Sequence, residues 1–239
     1  MTTAKVPEHV DLGGPPDWFR EAARQHGYGG ALASLHQEAG ADTLLCGPSG
    51  YAVASAETAD RARRWRAAGT VADRAVGQES RSTTVPLQAL GLVAIRCAPL
   101  PPASPSEYVP WALRLTWLRL GLSGALLDAC MEYLGGRTTG GEPMLRQQLL
   151  KGALADTVIA HLEAETVLTG GGATLPELAD VNCHITRTDR ELLRLLGASG
   201  FTLDGPGRTA YVSEVLADAY IGPTGTDAYI GPTGSGVSL

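Results

Sequence analysis

Aromatic residues are scarce, 5% of the 239-residue chain, and Phe19 and Phe201 are the only phenylalanines. Lysine is nearly absent, with Lys5 and Lys151 alone, and acidic residues outnumber basic ones, 25 to 19, for a formal net charge of −6. A net acidic chain with so few lysines is a poor nucleic-acid binder, because that affinity comes from neutralising phosphates. Only 18% of residues are charged while 44% are apolar, which excludes a largely disordered chain. No cysteine pair has metal or redox spacing. Cys46, Cys97, Cys130 and Cys183 are far apart, so neither a zinc site nor a redox dithiol is signalled, and four free thiols are expected. The longest apolar stretch, Trp111 to Leu134, is interrupted by Arg114, Arg119, Asp128 and Glu132, which argues against a bilayer span. Met1 to Asp17 lacks the layout of a signal peptide. With the free thiols, this gives an expectation of a cytoplasmic protein.

Four regions differ in composition. Residues 1–40 are expected to hold a short helical remnant, with Asp17 as N-cap of a helix to about Gln25, a break at Gly27 to Gly30, and a second helix from Ala31 to Ala39. Residues 41–105 read as a reduced β-domain and a proline-rich linker. Strands are expected at Thr43–Cys46, Tyr51–Ala54, Thr83–Leu87 and Leu90–Cys97, and Pro99, Pro101, Pro102 and Pro105 follow them. Within this region Arg61, Arg63, Arg64 and Arg66 surround Trp65. They form a solvated face or, on the sharper reading, a phosphate or adenine contact. Residues 106–220 read as an antiparallel helical bundle. Leu113, Trp117, Leu120 and Gly124 recur at helical spacing, and further helices are expected at Leu145–Leu168, Leu175–Leu196 and Thr209–Tyr220. Residues 221–239 are a tail rich in Gly and Pro, and the run Ala217–Gly225 is nearly repeated as Thr226–Gly234. Two copies are too few for a solenoid.

Familiar catalytic patterns fail when tested. Gly135 to Gly141 is glycine-rich but follows no strand, so it is neither a Walker nor a Rossmann loop. His9, His26, His36, His161 and His184 share no metal-ligand spacing, and a core or surface role is expected for each. Ser199, within Gly197-Ala198-Ser199-Gly200, lacks the nucleophile-elbow pattern.

One stretch carries more. Gly121, Leu127-Asp128, Cys130, Tyr133, Arg137, Gly141, Pro143, Gln148 and Leu154-Ala155-Asp156 stand in one ungapped register, and Leu196-Gly197-Ala198-Ser199-Gly200-Phe201 follows. The segment resembles the C-terminal region of the acyl-CoA dehydrogenase family over about half of the chain. The resemblance implies a mainly α fold, with a C-terminal antiparallel four-helix bundle after a β-domain and one or two short helices. It also implies an oligomer with FAD held at a subunit interface and an acyl thioester as substrate. Arg137, Gln148, Gly197 and Gly200 become candidate cofactor-binding residues. A guanidinium suits a pyrophosphate, an amide suits a cofactor amide, and glycines let backbone approach a ligand.

The departures shape the functional expectation. The family's aromatic before the loop glycine is here Gly140, which removes about 1 kcal/mol of stacking. The family's glutamate base falls at Ile221, which accepts no proton. A base near the start of the first bundle helix would fall at Trp111. With about 105 residues before the bundle, a shortened N-terminal half is expected. These features point to a remodelled enzyme acting on an acyl thioester or a natural-product intermediate without the usual desaturation. Glu107, Asp128 or Asp204 would then be the substitute acid or base. The alternatives are a non-catalytic subunit of a mixed flavoprotein complex and an FAD-dependent dehydrogenase with an unrecognised base.

Overall fold

The computed structural model describes residues 15–48, 50–67, 70–75, 79–82, 84–97, 105–202 and 205–222. The proline-rich linker before Pro105, Asp204 and the repeated tail beyond Gly222 lie outside them.

Two helices come first, α1 (Trp18–His26) and α2 (Tyr28–Ala39). Asp17 precedes α1 but makes no side-chain capping bond. The break between the helices is Gly27 alone, in a left-handed conformation at φ 74°. The expected break over Gly27 to Gly30 is too long: Gly29 and Gly30 lie inside α2. That helix is held by its buried residues Ala31, Leu32 and Leu35, which outweigh the low helix propensity of glycine.

Next come β1 (Thr43–Leu45), β2 (Tyr51–Ser55), α3 (Ala56–Arg61), β3 (Arg64–Ala67), β4 (Thr70–Asp73), β5 (Arg81–Ser82), α4 (Val85–Ala89) and β6 (Leu92–Arg96). The strands form two small sheets in the orders β1-β3-β4 and β2-β6-β5. Leu44, Ala52, Ala54, Trp65, Val93 and Ile95 share one apolar cluster. Val53 and Ala94 belong instead to the main core against the helices. Buried on both faces, β2 and β6 show apolar runs without period-two alternation. Of the strand expected at Thr83–Leu87, Val85–Leu87 lies in α4, with Pro86 in the first turn of that helix. The arginine cluster is spread over α3 and β3. Trp65 points inward under the Arg74 guanidinium, 5.0 Å from the ring centre. Arg64 is partnered by Asp42 at 2.6 Å, and Arg66 donates to Ala39 O.

The expectation of four free thiols is corrected here. Cys46 and Cys97 are joined as a disulfide across 51 residues, and only Cys130 and Cys183 are free. The turn after β1 leads into β2, and β2 pairs with β6 so that Tyr51 faces Arg96, which sets Cys46 beside Cys97 across the two sheets; sequence spacing does not reveal this. The argument for a reducing compartment loses the support of those two thiols.

The helical half comprises α5 (Pro105–Gly135), a small hairpin of β7 (Thr138–Thr139) and β8 (Glu142–Pro143), α6 (Gln148–Thr169), α7 (Leu175–Leu196), a 3-10 turn over Gly197–Phe201, and α8 (Gly207–Tyr220). α7 is fixed at its start by a capping box of Thr174 and Glu177 and at its end by Gly197 at φ 54°. The main core joins α1, α2, α5, α6, α7, α8 and the inner faces of β2 and β6. Two glycines permit close backbone packing. A Cβ at Gly121 would lie 2.1 Å from Arg20 O, and one at Gly47 would lie 1.9 Å from Ala219 O. α1 therefore rides directly on α5, and the β-region rides directly on α8. Among the described residues no helix is long and apolar enough to cross a membrane, and no His, Cys, Asp and Glu side chains gather as a metal site.

Candidate functional site

The residues implied by the resemblance gather at one end of the bundle. α5 and α7 finish there, and α6 and α8 begin there. Leu126, Leu134, Leu154, Leu192, Leu196 and Ala210 close that end as one apolar cluster. Arg137 follows α5, is exposed, and lies 4.4 Å over the Tyr133 ring. Among the described residues it has no carboxylate partner. Gln148 is exposed as the first residue of α6. Gly197 is exposed, and a Cβ there would meet open space. Gly200 is buried instead, with Leu196 Cβ 3.1 Å from the place of its missing Cβ. Gly140 and Gly141 form the hairpin turn at φ 63° and 85°, a conformation that primed hairpin turns require and aromatic residues rarely adopt.

At the opposite end, aromatic side chains fill the space where α5 begins and α8 ends. Tyr220 is fully buried. Its hydroxyl accepts from Val53 N at 2.7 Å and donates to Val53 O at 3.1 Å. Tyr108 donates its hydroxyl to Tyr220 O at 2.5 Å. The Trp111 ring stands 4.5 Å from that of Tyr220, and its indole N–H bonds Leu35 O at 3.3 Å. Burial raises the pKa of both Tyr108 and Tyr220, so both are neutral phenols at pH 7. Ile221 is half-buried beside them. The 22 residues of α7 put these two ends about 33 Å apart, so Arg137 and Ile221 of one chain do not face one small site.

A third polar feature lies between the ends and was not legible in the sequence. Arg119 is 0% exposed in the middle of α5. Its Nε donates to Ser213 Oγ at 3.0 Å, Nη1 to Asn182 Oδ1 at 2.5 Å, and Nη2 to Thr186 Oγ1 at 2.9 Å. Asn182 in turn donates to Thr116 Oγ1 and Leu178 O. Burial lowers the guanidinium pKa to about 10, so it stays charged. One turn further along, Ser123 Oγ lies 2.8 Å from His161 Nε2, with the Asp189 carboxyl nearby. Burial pushes the Asp189 carboxyl up to about 7 and, with Arg20 and Arg24 nearby, the His161 imidazole down to about 4. A lone arginine in an apolar helix signals an interruption, and its partners on α7 and α8 are 63 to 94 residues away.

The substitute carboxylates fare differently. Asp128 is taken by Arg24 in a two-bond pair at 2.9 and 3.0 Å that holds α1 to α5. Asp204 and the Glu107 side chain lie outside the described set. Ser199 donates to Leu196 O and serves the turn.

No family model and no curated protein matches the chain. Solved structures do. A glutaryl-CoA dehydrogenase from Mycobacterium smegmatis in complex with FADH2 aligns over 77% of this chain and 57% of its own, at 15% identity and TM-score 0.52. A variant of a steroid ACAD aligns over 76% and 58%, at 16% identity and TM-score 0.56. FkbI, for biosynthesis of a polyketide's methoxymalonyl extender unit, aligns over 76% and 61%, at 15% identity and TM-score 0.52. This is the acyl-CoA dehydrogenase fold. The aligned part spans less than two thirds of each of those proteins.

For FAD the fit is divided. Arg137, Gln148 and the open Gly197 backbone suit a pyrophosphate at the loop end. Gly140 offers no stacking ring, and the Tyr220 end is filled by the chain's own aromatics. No redox step follows from the residues present.

Proposed function

We propose that the chain is a divergent acyl-CoA dehydrogenase-like enzyme, remodelled to act on an acyl thioester or a natural-product intermediate without glutamate-based α,β-desaturation. The observation that carries this reading is the closed aromatic end. Tyr220, Trp111 and Tyr108 occupy the place beside the base position, and Ile221 has no proton to move. Arg137 supports a diphosphate-bearing ligand such as coenzyme A, because it is an exposed cation that no carboxylate claims among the described residues. The test is mass spectrometry of a saturated acyl-CoA series incubated with the full chain and FAD. Loss of two hydrogens from any of these substrates would overturn the reading. A thioester changed in another way, or a specifically bound coenzyme A displaced by Arg137→Ala, supports it.

A second reading is a non-catalytic subunit that completes the site of a full-length flavoprotein partner. Two observations favour it. The loop end and the closed end are too far apart to serve one ligand in one chain. In addition, α6 exposes Val158, Ile159 and Leu162 at 43%, 52% and 57%, an apolar face suited to a second chain. Size-exclusion chromatography with light scattering separates the readings. An active, self-sufficient homo-oligomer rules the second one out, and an inert chain that gains flavin only in a mixed complex favours it.

A further inference from the structure

Helix α6 presents a packing row on two opposite sides. Its buried residues Leu154, Thr157, His161, Ala164 and Leu168 follow one another at spacings of three and four, and they face the bundle. The same spacing also starts two residues earlier. Gly152, Ala155, Ile159, Leu162 and Thr166 are all exposed. Two residues turn a helix by about 200°, so this second row runs along the side away from the bundle. A row of this spacing is the seam by which one helix packs on another, and among the described residues nothing covers it.

The charges beside the outer row define what fits it. Asp156 and Glu163 each follow a member of the row by one residue, so they share one flank, seven residues apart. Neither has an ion-pair partner among the described residues. On the other flank stand Lys151, Val158 and Glu165, and Glu165 is paired with Arg20 of α1 at 2.8 Å. A second copy of this chain matches that pattern badly. Antiparallel helices oppose like flanks, which sets Asp156 of one copy against Glu163 of the other. Parallel helices set Asp156 against Lys151 of the copy but leave Glu163 against Val158. The chain's own ends fit no better. Residues 1–14 carry one Lys and no Arg, and residues 223–239 carry neither.

We propose that the outer face of α6 docks an amphipathic helix of another protein, one with its own apolar seam at 3-4 spacing and two Lys or Arg residues seven apart on the flank that faces Asp156 and Glu163. The row from Gly152 to Thr166 is about 21 Å long, so the partner helix needs about four turns. Gly152 and Ala155 let its backbone come close at one end, and Ile159 and Leu162 supply apolar contact beyond them. This docking deepens the subunit reading by naming the element that a partner would present, and it rests on that reading only for the presence of a second chain.

The experiment is fluorescence anisotropy of two labelled peptides, each about three heptads long, titrated with the full chain. Both carry leucine at 3-4 spacing. One has two Lys residues seven apart on one flank, and the other has Glu in their places. At low salt the Lys peptide should bind at least about tenfold more tightly than the Glu peptide, and the gap should shrink at about 0.5 M salt. Asp156→Lys combined with Glu163→Lys should reverse the preference. Ile159→Asp should abolish binding of both peptides, with circular dichroism checking that the exposed substitution leaves the helices intact. The charge reversal decides the matter if Ile159→Asp does not fold. Equal binding of the two peptides, no binding of the Lys peptide, or binding that survives Ile159→Asp would each overturn the proposal. So would sedimentation showing the chain alone as a dimer that Ile159→Asp dissolves. Lys-peptide binding by a chain that gains flavin in no mixed complex would sink the subunit reading and leave this docking standing. A flavin-bearing mixed complex that still forms with Ile159→Asp would support the subunit reading and overturn this docking.

Discussion

The loop end of the bundle carries Arg137, an exposed cation resting on Tyr133, whereas the opposite end carries Tyr220, buried and bonded twice to Val53. Both ends are built from polar groups on the same set of helices. At the loop end the glycines keep side chains away, and Gly197 meets open space. At the closed end Gly47 brings backbone into contact with Ala219, and three aromatic rings seal what remains. The difference teaches that the two ends of one bundle can diverge, one packed shut as core and the other left open. Polar atoms at the closed end satisfy one another, so they contribute to stability. At the loop end, Arg137 has no carboxylate partner among the described residues and rests only on the Tyr133 ring.

The sharpest way to break this comparison is at the glycines. Gly47→Ala drives a Cβ into Ala219 O and should cost about 3 kcal/mol, as severe overpacking does. Gly197→Ala at the loop end strains only its left-handed φ and should cost about 1 kcal/mol. Urea unfolding measures both, and equal losses would show that the two ends do not differ in packing. Tyr220→Phe comes next. It strips the buried Val53 N–H and C=O of their hydroxyl partner and should cost about 2 kcal/mol, with no change in any ligand affinity at the loop end.

Between the ends, pH separates two buried groups of opposite sign. Asp189 titrates near 7 when folded and near 3.8 when unfolded. The native state therefore holds the extra proton, and this contribution falls as pH rises from about 4 to about 7. His161 titrates near 4 when folded and near 6.5 when unfolded. Its contribution rises over pH 4 to 6.5, because the unfolded chain binds the extra proton. The two nearly cancel in the wild-type profile. His161→Gln should uncover the fall, and Asp189→Asn should uncover the rise. A pH–stability profile unchanged in both variants would contradict the burial of this pair. The smallest effect on stability belongs to Arg137→Ala, within about 0.5 kcal/mol as for an exposed side chain. A thermal shift in the presence of coenzyme A should nevertheless disappear in that variant.

Much of the helical half was legible because its signals are local. Leu175–Leu196 is bounded by Thr174 and Glu177 at one end and Gly197 at the other, and its apolar positions repeat at helical spacing. The β-region was less legible. β3 is Arg-Trp-Arg-Ala, which reads as a basic cluster until pairing with β1 and β4 shows which side Trp65 faces. Val85–Leu87 looked extended because its valine and leucine suit a strand, but α4 claims them. The Cys46–Cys97 bridge and the Arg119 network depend on contacts across 51 to 94 residues. Neither composition nor spacing holds that information. Arg137, Gln148, Gly197 and Gly200 were nameable only through the resemblance, and their common location is a property of helix order. Asp189 escaped notice because a single aspartate on an amphipathic helix looks like a solvated one until its neighbours are known.

On the proposed reading, the closed end carries no desaturation chemistry. Anaerobic mixing of the full chain, equilibrated with FAD, with a saturated acyl-CoA series tests it most directly, read as the intensity of the flavin absorbance band. No acyl-CoA-dependent bleaching is expected with any chain length. Bleaching that saturates with acyl-CoA and yields the enoyl product would contradict that reading, and would show that a proton acceptor stands elsewhere in the site, since Ile221 cannot serve.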